Sequence, residues 1–232
     1  MFINLFYSAT HSTVPSELLD RAVESIPHID SREALNMPTG NFFHDPWEIK
    51  PEYKGTVWEE LLSTLDSKHG EARLIKLAPG QCYSKHADID DRFHLGLTGT
   101  DSFLINLEEN EMHLLEQDGR WYEMNAARRH TAANFGCTDR VQLVVRKLLP
   151  TSNITEPVNI KITLIEEVFD RRFIFDDTLS PWINYAFKRQ VIENFCGEDL
   201  KATMTVDKSV LAELEQIINN SGKFKMEVNY EK

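Results

Sequence analysis

The spacing of apolar positions changes character along the chain. After Pro15-Ser16, the run ELLDRAVESI sets Leu18, Leu19, Val23 and Ile26 near one face, which predicts an amphipathic helix. Residues 40–55, GNFFHDPWEIKPEYKG, are rich in aromatic, Pro and Gly residues without helical period and read as an extended loop. Thr56-Val57-Trp58-Glu59 has the form of a capping box, and Trp58, Leu61, Leu62 and Leu65 follow at helical spacing, so a second helix starts there.

From Glu71 the period shortens to that of strands. ARLIKLA alternates, Pro79-Gly80 is a turn, and FHLGLTG is a strand ending at Gly99. SFLINLE, EMHLLEQ and RWYEM follow, separated by turn signals at Glu109-Asn110 and Asp118-Gly119. RVQLVVRKLL is a long apolar strand running into Pro150. Closely spaced antiparallel strands of this kind make a sandwich or a barrel.

PTSNITEP, residues 150–157, reads as a boundary. Beyond it, Ser180-Pro181 starts a helix whose apolar face is Trp182, Ile183, Ala186 and Phe187, continued by Val191 and Phe195. A further helix runs from about Asp207 to Asn220 and stops at Gly222, and Phe224, Met226, Val228 and Tyr230 alternate as a closing strand. The expectation is a mainly β fold with flanking helices over residues 1–150. A mainly helical C-terminal extension over 151–232 follows, an α/β appendage once its closing strand is counted.

Composition narrows the function classes. With 232 residues and 41% hydrophobic positions the chain can bury a sizeable core. A formal net charge of −12 repels phosphate backbones and anionic lipid, so neither nucleic acid nor a membrane is an expected partner. Cys82, Cys137 and Cys196 are odd in number and lack C-x-x-C spacing, which argues against a disulfide framework and a zinc-thiolate site. Cys82 and Cys137 read as small buried residues. MFINLFYSATHS lacks a basic leader and no apolar run approaches the length of a membrane span, so a cytoplasmic location is expected.

The chemistry is concentrated in KHADIDDRFHLGL, residues 85–97. His86 and Asp88 lie two apart, on one side of an extended chain, and offer a nitrogen and a hard oxygen to one cation. A third ligand has to come from a distant strand, and His130 opens one in RRHTAANFG. Two imidazoles and one carboxylate, with other coordination positions left open, are the ligand set of non-haem iron(II) oxygenases. Asp90 and Asp91 lack the EF-hand pattern and read as a solvated acidic turn. Arg140 enters an apolar strand, where a guanidinium requires a carboxylate. A small diacid is one source; snorkelling, or pairing with Asp139 or Asp101, is the other.

The runs ARLIKLAPGQCYSKHADIDDRFHLGL, DGRWYEMNAARRHTAANFG and DRVQLVVRKLL, roughly residues 71–149, resemble the aspartyl/asparaginyl β-hydroxylase family of Fe(II)- and 2-oxoglutarate-dependent oxygenases, including its free L-proline hydroxylase relatives. The resemblance rests on the spaced set H-x-D, R-x-H-L, H and R. It implies a double-stranded β-helix (jelly roll, cupin-like), with His86, Asp88 and His130 as iron ligands and Arg140 on the distal carboxylate of 2-oxoglutarate. Arg92 and His94 match the R-x-H-L positions, which implies contact with the proximal carboxylate of 2-oxoglutarate or with a carboxylate of the substrate. A strand arginine and a core histidine bonded to backbone are the alternatives for these two. Asp88 is a carboxylate in the proline hydroxylases but not in animal aspartyl hydroxylases, so the resemblance points to hydroxylation of a free amino acid using O2, with succinate and CO2 released. Hydroxylation of aspartyl or asparaginyl residues in peptides, and a non-catalytic metal-binding jelly-roll module, are the other readings.

Overall fold

Alternation along the strands decides how the layers form. The computed structural model describes residues 5–165, 178–198 and 201–229. Contacts divide the chain into two units: Met1–Lys85 with Asp90–Leu148, and Leu149–Lys232 with the short segment His86–Ile89.

In the first unit, a large antiparallel sheet contains β1 (Tyr7–Thr13), β2 (Arg32–Ala34), β5 (His69–Leu77), β6 (Arg92–Thr98), β9 (Arg120–Met124) and β11 (Arg140–Lys147), in the order β1-β9-β6-β11-β5-β2. A smaller sheet holds β7 (Ser102–Asn106), β8 (Glu111–Leu114) and β10 (His130–Asn134) in the order β10-β7-β8. Cys82 adds a bridge to Ala133 on the free side of β10. Counting from β5 with the Cys82 segment as second strand, one sheet runs first-eighth-third-sixth and the other second-seventh-fourth-fifth. That is the double-stranded β-helix, with β1 and β2 appended to the edges of the large sheet.

The apolar positions of the large sheet point one way. Phe93, Leu95 and Leu97 of β6, Val141, Leu143 and Val145 of β11, Ala72 and Leu74 of β5 and Trp121 of β9 share a core with helices α1 (Ser16–Glu24) and α2 (Val57–Ser63). Leu18, Ala22, Val57, Trp58, Leu61 and Leu62 are the helical contribution. Each fully buried Val, Leu or Phe among them contributes about 1.5–3 kcal/mol. The intervening positions Arg92, His94, Arg140 and Gln142 face the opposite side and are also buried. The α2 start follows its sequence signal: Thr56 Oγ1 accepts from the Trp58 N–H at 3.3 Å, while the Glu59 carboxylate reaches Gly55 N at 2.7 Å, one residue beyond the expected box.

Two stretches differ from the sequence expectation. Part of the proposed loop is ordered as β4 (Trp47–Ile49), paired with β3 (Asn36–Pro38), and Phe42 stacks edge-on against Trp47 at 5.0 Å. The N-terminal β1 gave no strand signal because it is an edge strand carrying Ser, Thr and His at most positions.

The second unit contains β12 (Pro157–Leu164), α3 (Ser180–Lys188), β13 (Ile192–Glu198), β14 (Lys201–Asp207), α4 (Leu211–Ser221) and β15 (Phe224–Asn229). Its sheet runs β13-β14-β12-β15, antiparallel throughout. Among the described residues this βαββαβ order matches the split βαβ, or ferredoxin-like, arrangement. Val158, Ile160, Ile162 and Leu164 are buried on β12, as are Trp182, Ile183, Ala186 and Phe187 on α3 and Leu211, Leu214 and Ile218 on α4. The described residues of this extension thus hold four strands beside two helices, where mainly helix was expected; the period-2 run PVNIKITL was the missed signal. The α3 face stops at Lys188 instead of continuing to Val191 and Phe195, because Gln190 takes φ +61° and turns the chain into β13. Gly222 ends α4 in the left-handed conformation as expected, and Tyr230 lies outside the described residues. Among the described residues no helix is long and apolar enough to cross a membrane. Cys82 and Cys137 are exposed free thiols, not buried small residues, and Cys196 is also exposed and free.

Candidate metal centre

The register of the smaller sheet explains why two distant histidines meet. Tyr83 N donates to Ala132 O at 3.0 Å, Asn134 N donates to Gln81 O at 3.0 Å, and Thr131 Oγ1 donates to Tyr83 O at 2.6 Å. Extending the Cys82–Ala133 bridge in antiparallel register brings the chain just before His86 opposite His130 at the start of β10. His86 and Asp88 alternate around Ala87, which is buried, so both emerge on the other side of the segment. One ligand atom from each of His86, Asp88 and His130 lies within 4.8 Å of the others, and among the described residues this trio can hold a metal ion.

The tautomer of His130 is fixed by its surroundings. Its Nδ1 lies 2.7 Å from the carbonyl of Arg128, which can only accept, so Nδ1 carries the proton and Nε2 keeps its lone pair for a metal. His130 is buried. His86 and Asp88 are each about 28–29% exposed, with Nε2 and Oδ2 3.9 Å apart. A pair of neutral imidazoles and one carboxylate carries a single negative charge, which suits a divalent cation.

Arg140 opens β11, opposite Leu77 on β5, and is 2% exposed. Its Nη2 donates to the Tyr83 hydroxyl at 3.4 Å, and the guanidinium carbon lies 5.7 Å from the centre of the Tyr83 ring. Among the described residues, Nε and Nη1 find no acceptor. Asp139, a candidate partner in the sequence, faces Lys76 at 3.7 Å instead. Burial pushes the Arg140 pKa down. Gly99 makes this position possible: it has φ +94°, and a Cβ on it would stand 2.7 Å from Arg140 Cα.

His94 lies on the same polar face of the sheet. Both ring nitrogens are buried without a hydrogen-bond partner among the described residues, so the backbone-bonded alternative does not describe it. Burial, reinforced by the charge of Arg140 and to a lesser degree by Arg92 and His130, and opposed by the nearby Gln142 amide, which stops short of hydrogen-bond geometry, pushes its pKa down to about 3. The ring is therefore neutral at physiological pH. Tyr7 meets it edge-on at 6.1 Å and stacks on Tyr122 at 4.8 Å. Neither Tyr7 nor Gln142, whose Nε2 is another buried donor lacking a partner among the described residues, stood out in the sequence. Gln142 shares the parity of Arg140 in DRVQLVV, and that was the available signal.

Arg92 is differently occupied. Its Nη1 contacts Asp90 Oδ1 and donates to the Asp90 carbonyl at 3.0 Å. Arg146 Nη1 holds the other Asp90 oxygen at 2.7 Å and its Nε holds Glu71 at 3.0 Å. Asp90 and Asp91 are 2% and 8% exposed, so the expected solvated acidic turn is instead a buried, bonded one. Asp91 Oδ1 accepts from Ala126 N at 3.2 Å and its carbonyl from Lys147 N at 3.0 Å. The residues that follow the metal-binding segment are thereby fixed to β11 and to the end of β9.

No family model matches the chain, and no curated protein matches it. Among solved structures, it is similar to a Pseudomonas putida prolyl-4-hydroxylase, at 13% identity over 63% of this chain and 95% of that one, with a TM-score of 0.38. It is also similar to CapF, crystallised with the inhibitor 3-isopropenyl-tropolone, at 15% identity over 35% of this chain, with a TM-score of 0.30. The chain spans a quarter of the length of CapF. At TM-scores below 0.5, neither match assigns a reaction to this chain.

Proposed function

We propose that this protein is an Fe(II)- and 2-oxoglutarate-dependent dioxygenase that hydroxylates a free amino acid of the proline type. The observation that carries the reading is the convergence of His86, Asp88 and His130 in a fold that also buries Arg140 with two guanidinium nitrogens lacking a partner among the described residues. A buried guanidinium is costly unless a carboxylate answers it, and the distal carboxylate of 2-oxoglutarate is such a group. The donor set fits iron(II): two neutral imidazoles and one carboxylate that leave coordination positions free.

In this reading His86, Asp88 and His130 hold the ion, and the Arg128 carbonyl keeps His130 oriented. Arg140 and the Tyr83 hydroxyl receive the distal carboxylate of 2-oxoglutarate. His94, neutral at physiological pH, offers hydrogen bonding without charge to the proximal carboxylate or to that of the substrate. Bound iron(II) and 2-oxoglutarate supply the oxidising power, with one atom of O2 entering succinate, the other entering the product, and CO2 leaving. Asp88, which matches the proline hydroxylase pattern, supports a free amino acid over a peptide.

The test has two stages. Anaerobic addition of Fe(II) and 2-oxoglutarate should produce the visible metal-to-ligand charge-transfer band of the chelate. In air, succinate formation should rise with a free amino acid in the assay. Stimulation by peptides alone would move the substrate to aspartyl or asparaginyl residues, and absence of both band and succinate would leave a metal-binding module.

A further inference from the structure

We infer that Asn184, on helix α3, is a positioning residue for the His86–Asp88 metal-binding segment; the inference rests on the metal reading above. The segment His86–Ile89 groups by its contacts with residues 149–232, although in sequence it lies between β5 and β6. One of those contacts is specific. Asn184 Nδ2 donates to the main-chain carbonyl of Asp88 at 3.3 Å.

An amide at this position runs against the local preference of the helix. Asn is less favourable than Ala in a helix interior by up to about 0.7 kcal/mol. Asn184 is also wholly buried, beside Ile183 and one turn from Phe187, where a polar side chain is costly unless bonded. The bond to Asp88 is an interaction that offsets both costs. Its effect is directional: fixing the Asp88 carbonyl fixes the plane of the Asp88–Ile89 peptide, and with it the direction in which the Asp88 side chain leaves the backbone. Downstream, Asp90 is held by Arg92 and Arg146. Asp88 is therefore braced at its own carbonyl by α3 and two residues later by the buried ion pairs. Helix α3, in the unit whose role the sequence left open, acquires a task in orienting Asp88.

The experiment uses the full chain and Co(II), which binds like Fe(II) without oxidising in air and reports its geometry by visible absorption. Asn184→Ala and Asn184→Leu remove the donor, the second while filling the space, and His130→Ala serves as the ligand control. The expected result is a Co(II) dissociation constant about 10–100-fold higher in both Asn184 variants, the usual cost of losing a group that orients a metal ligand. An altered Co(II) spectrum and an unchanged unfolding midpoint of the metal-free protein should accompany it. A purely structural asparagine would lower the midpoint and leave the affinity and spectrum of the folded fraction alone. Wild-type affinity in the Asn184 variants, with His130→Ala weakened, overturns this inference and leaves the metal reading standing. Equal affinity in wild type and His130→Ala overturns both. If neither Asn184 variant folds, amide exchange of the wild type decides, because coupling is reciprocal. Co(II) should then slow exchange in α3 beyond any change in α4, and equal behaviour of the two helices overturns the inference.

Discussion

Arg140→Met provides the sharpest separation of a ligand-binding arginine from a structural one. Methionine matches the arginine stem and has no donors. Arg140 has two nitrogens that lack an acceptor among the described residues, at a cost of about 1–3 kcal/mol each. Against this stand a 3.4 Å hydrogen bond and a 5.7 Å cation–π contact, both to Tyr83, together contributing about 1–2 kcal/mol. The variant should therefore be more stable than wild type by about 2 kcal/mol in a urea titration of the metal-free protein, followed by tryptophan fluorescence. Its affinity for 2-oxoglutarate, read from the charge-transfer band, should fall by about 100-fold, the equivalent of about 3 kcal/mol of charge-assisted hydrogen bonding. A variant destabilised by a similar amount, with 2-oxoglutarate binding intact, would refute the reasoning and return Arg140 to the scaffold.

Three further outcomes follow from the same geometry. His86→Ala and His130→Ala should each abolish iron-dependent succinate formation, and retention of turnover by either would remove it from the ligand set. His94 has a native pKa of about 3 against about 6.5 unfolded, so its stabilisation is complete above pH 6.5 and is lost as pH falls toward 3. Between those limits the loss approaches about 1.4 kcal/mol per pH unit; His94→Leu should flatten the curve of stability against pH, and parallel curves would contradict the assignment. Asp90→Ala withdraws a buried carboxylate from both Arg92 and Arg146 and should cost about 3–5 kcal/mol in urea, whereas a loss below about 1 kcal/mol would mean that the pair is not held as described.

Much of the jelly roll was legible because its strands alternate and its turns carry their own signals. Asn110 takes φ +56° and Gly119 φ +72° at the expected turns. Elements stabilised by pairing more than by a burial pattern were not legible: β1 is polar and lies on an edge, and β3 and β4 are three residues each. At the candidate site, His86, Asp88 and His130 could be proposed from residue type and spacing, but the register that brings His130 to the segment is a property of the sheet. Asp90 illustrates the limit. Asp90 and Asp91, in a row of charges, look solvated, and only the cross-strand position of Arg146, opposite Arg92 on β6, makes Asp90 a buried anchor. Asn184 lies almost a hundred residues from Asp88 in sequence, and local pattern carries no information over that range.

The large sheet writes two messages on the same strands. On β6 and β11 the odd and even positions are read by different neighbours: Phe93, Leu95, Leu97, Val141, Leu143 and Val145 answer to the helices, while His94, Arg140 and Gln142 face the other side, beside an Arg92 already tied to Asp90. Under the proposed function, a change of substrate can be composed in the His94, Arg140 and Gln142 set without editing the helix-facing one, and a scaffold repair in the latter leaves the former untouched. A library restricted to His94, Arg140 and Gln142 would vary what the interior can bind at nearly constant helix packing.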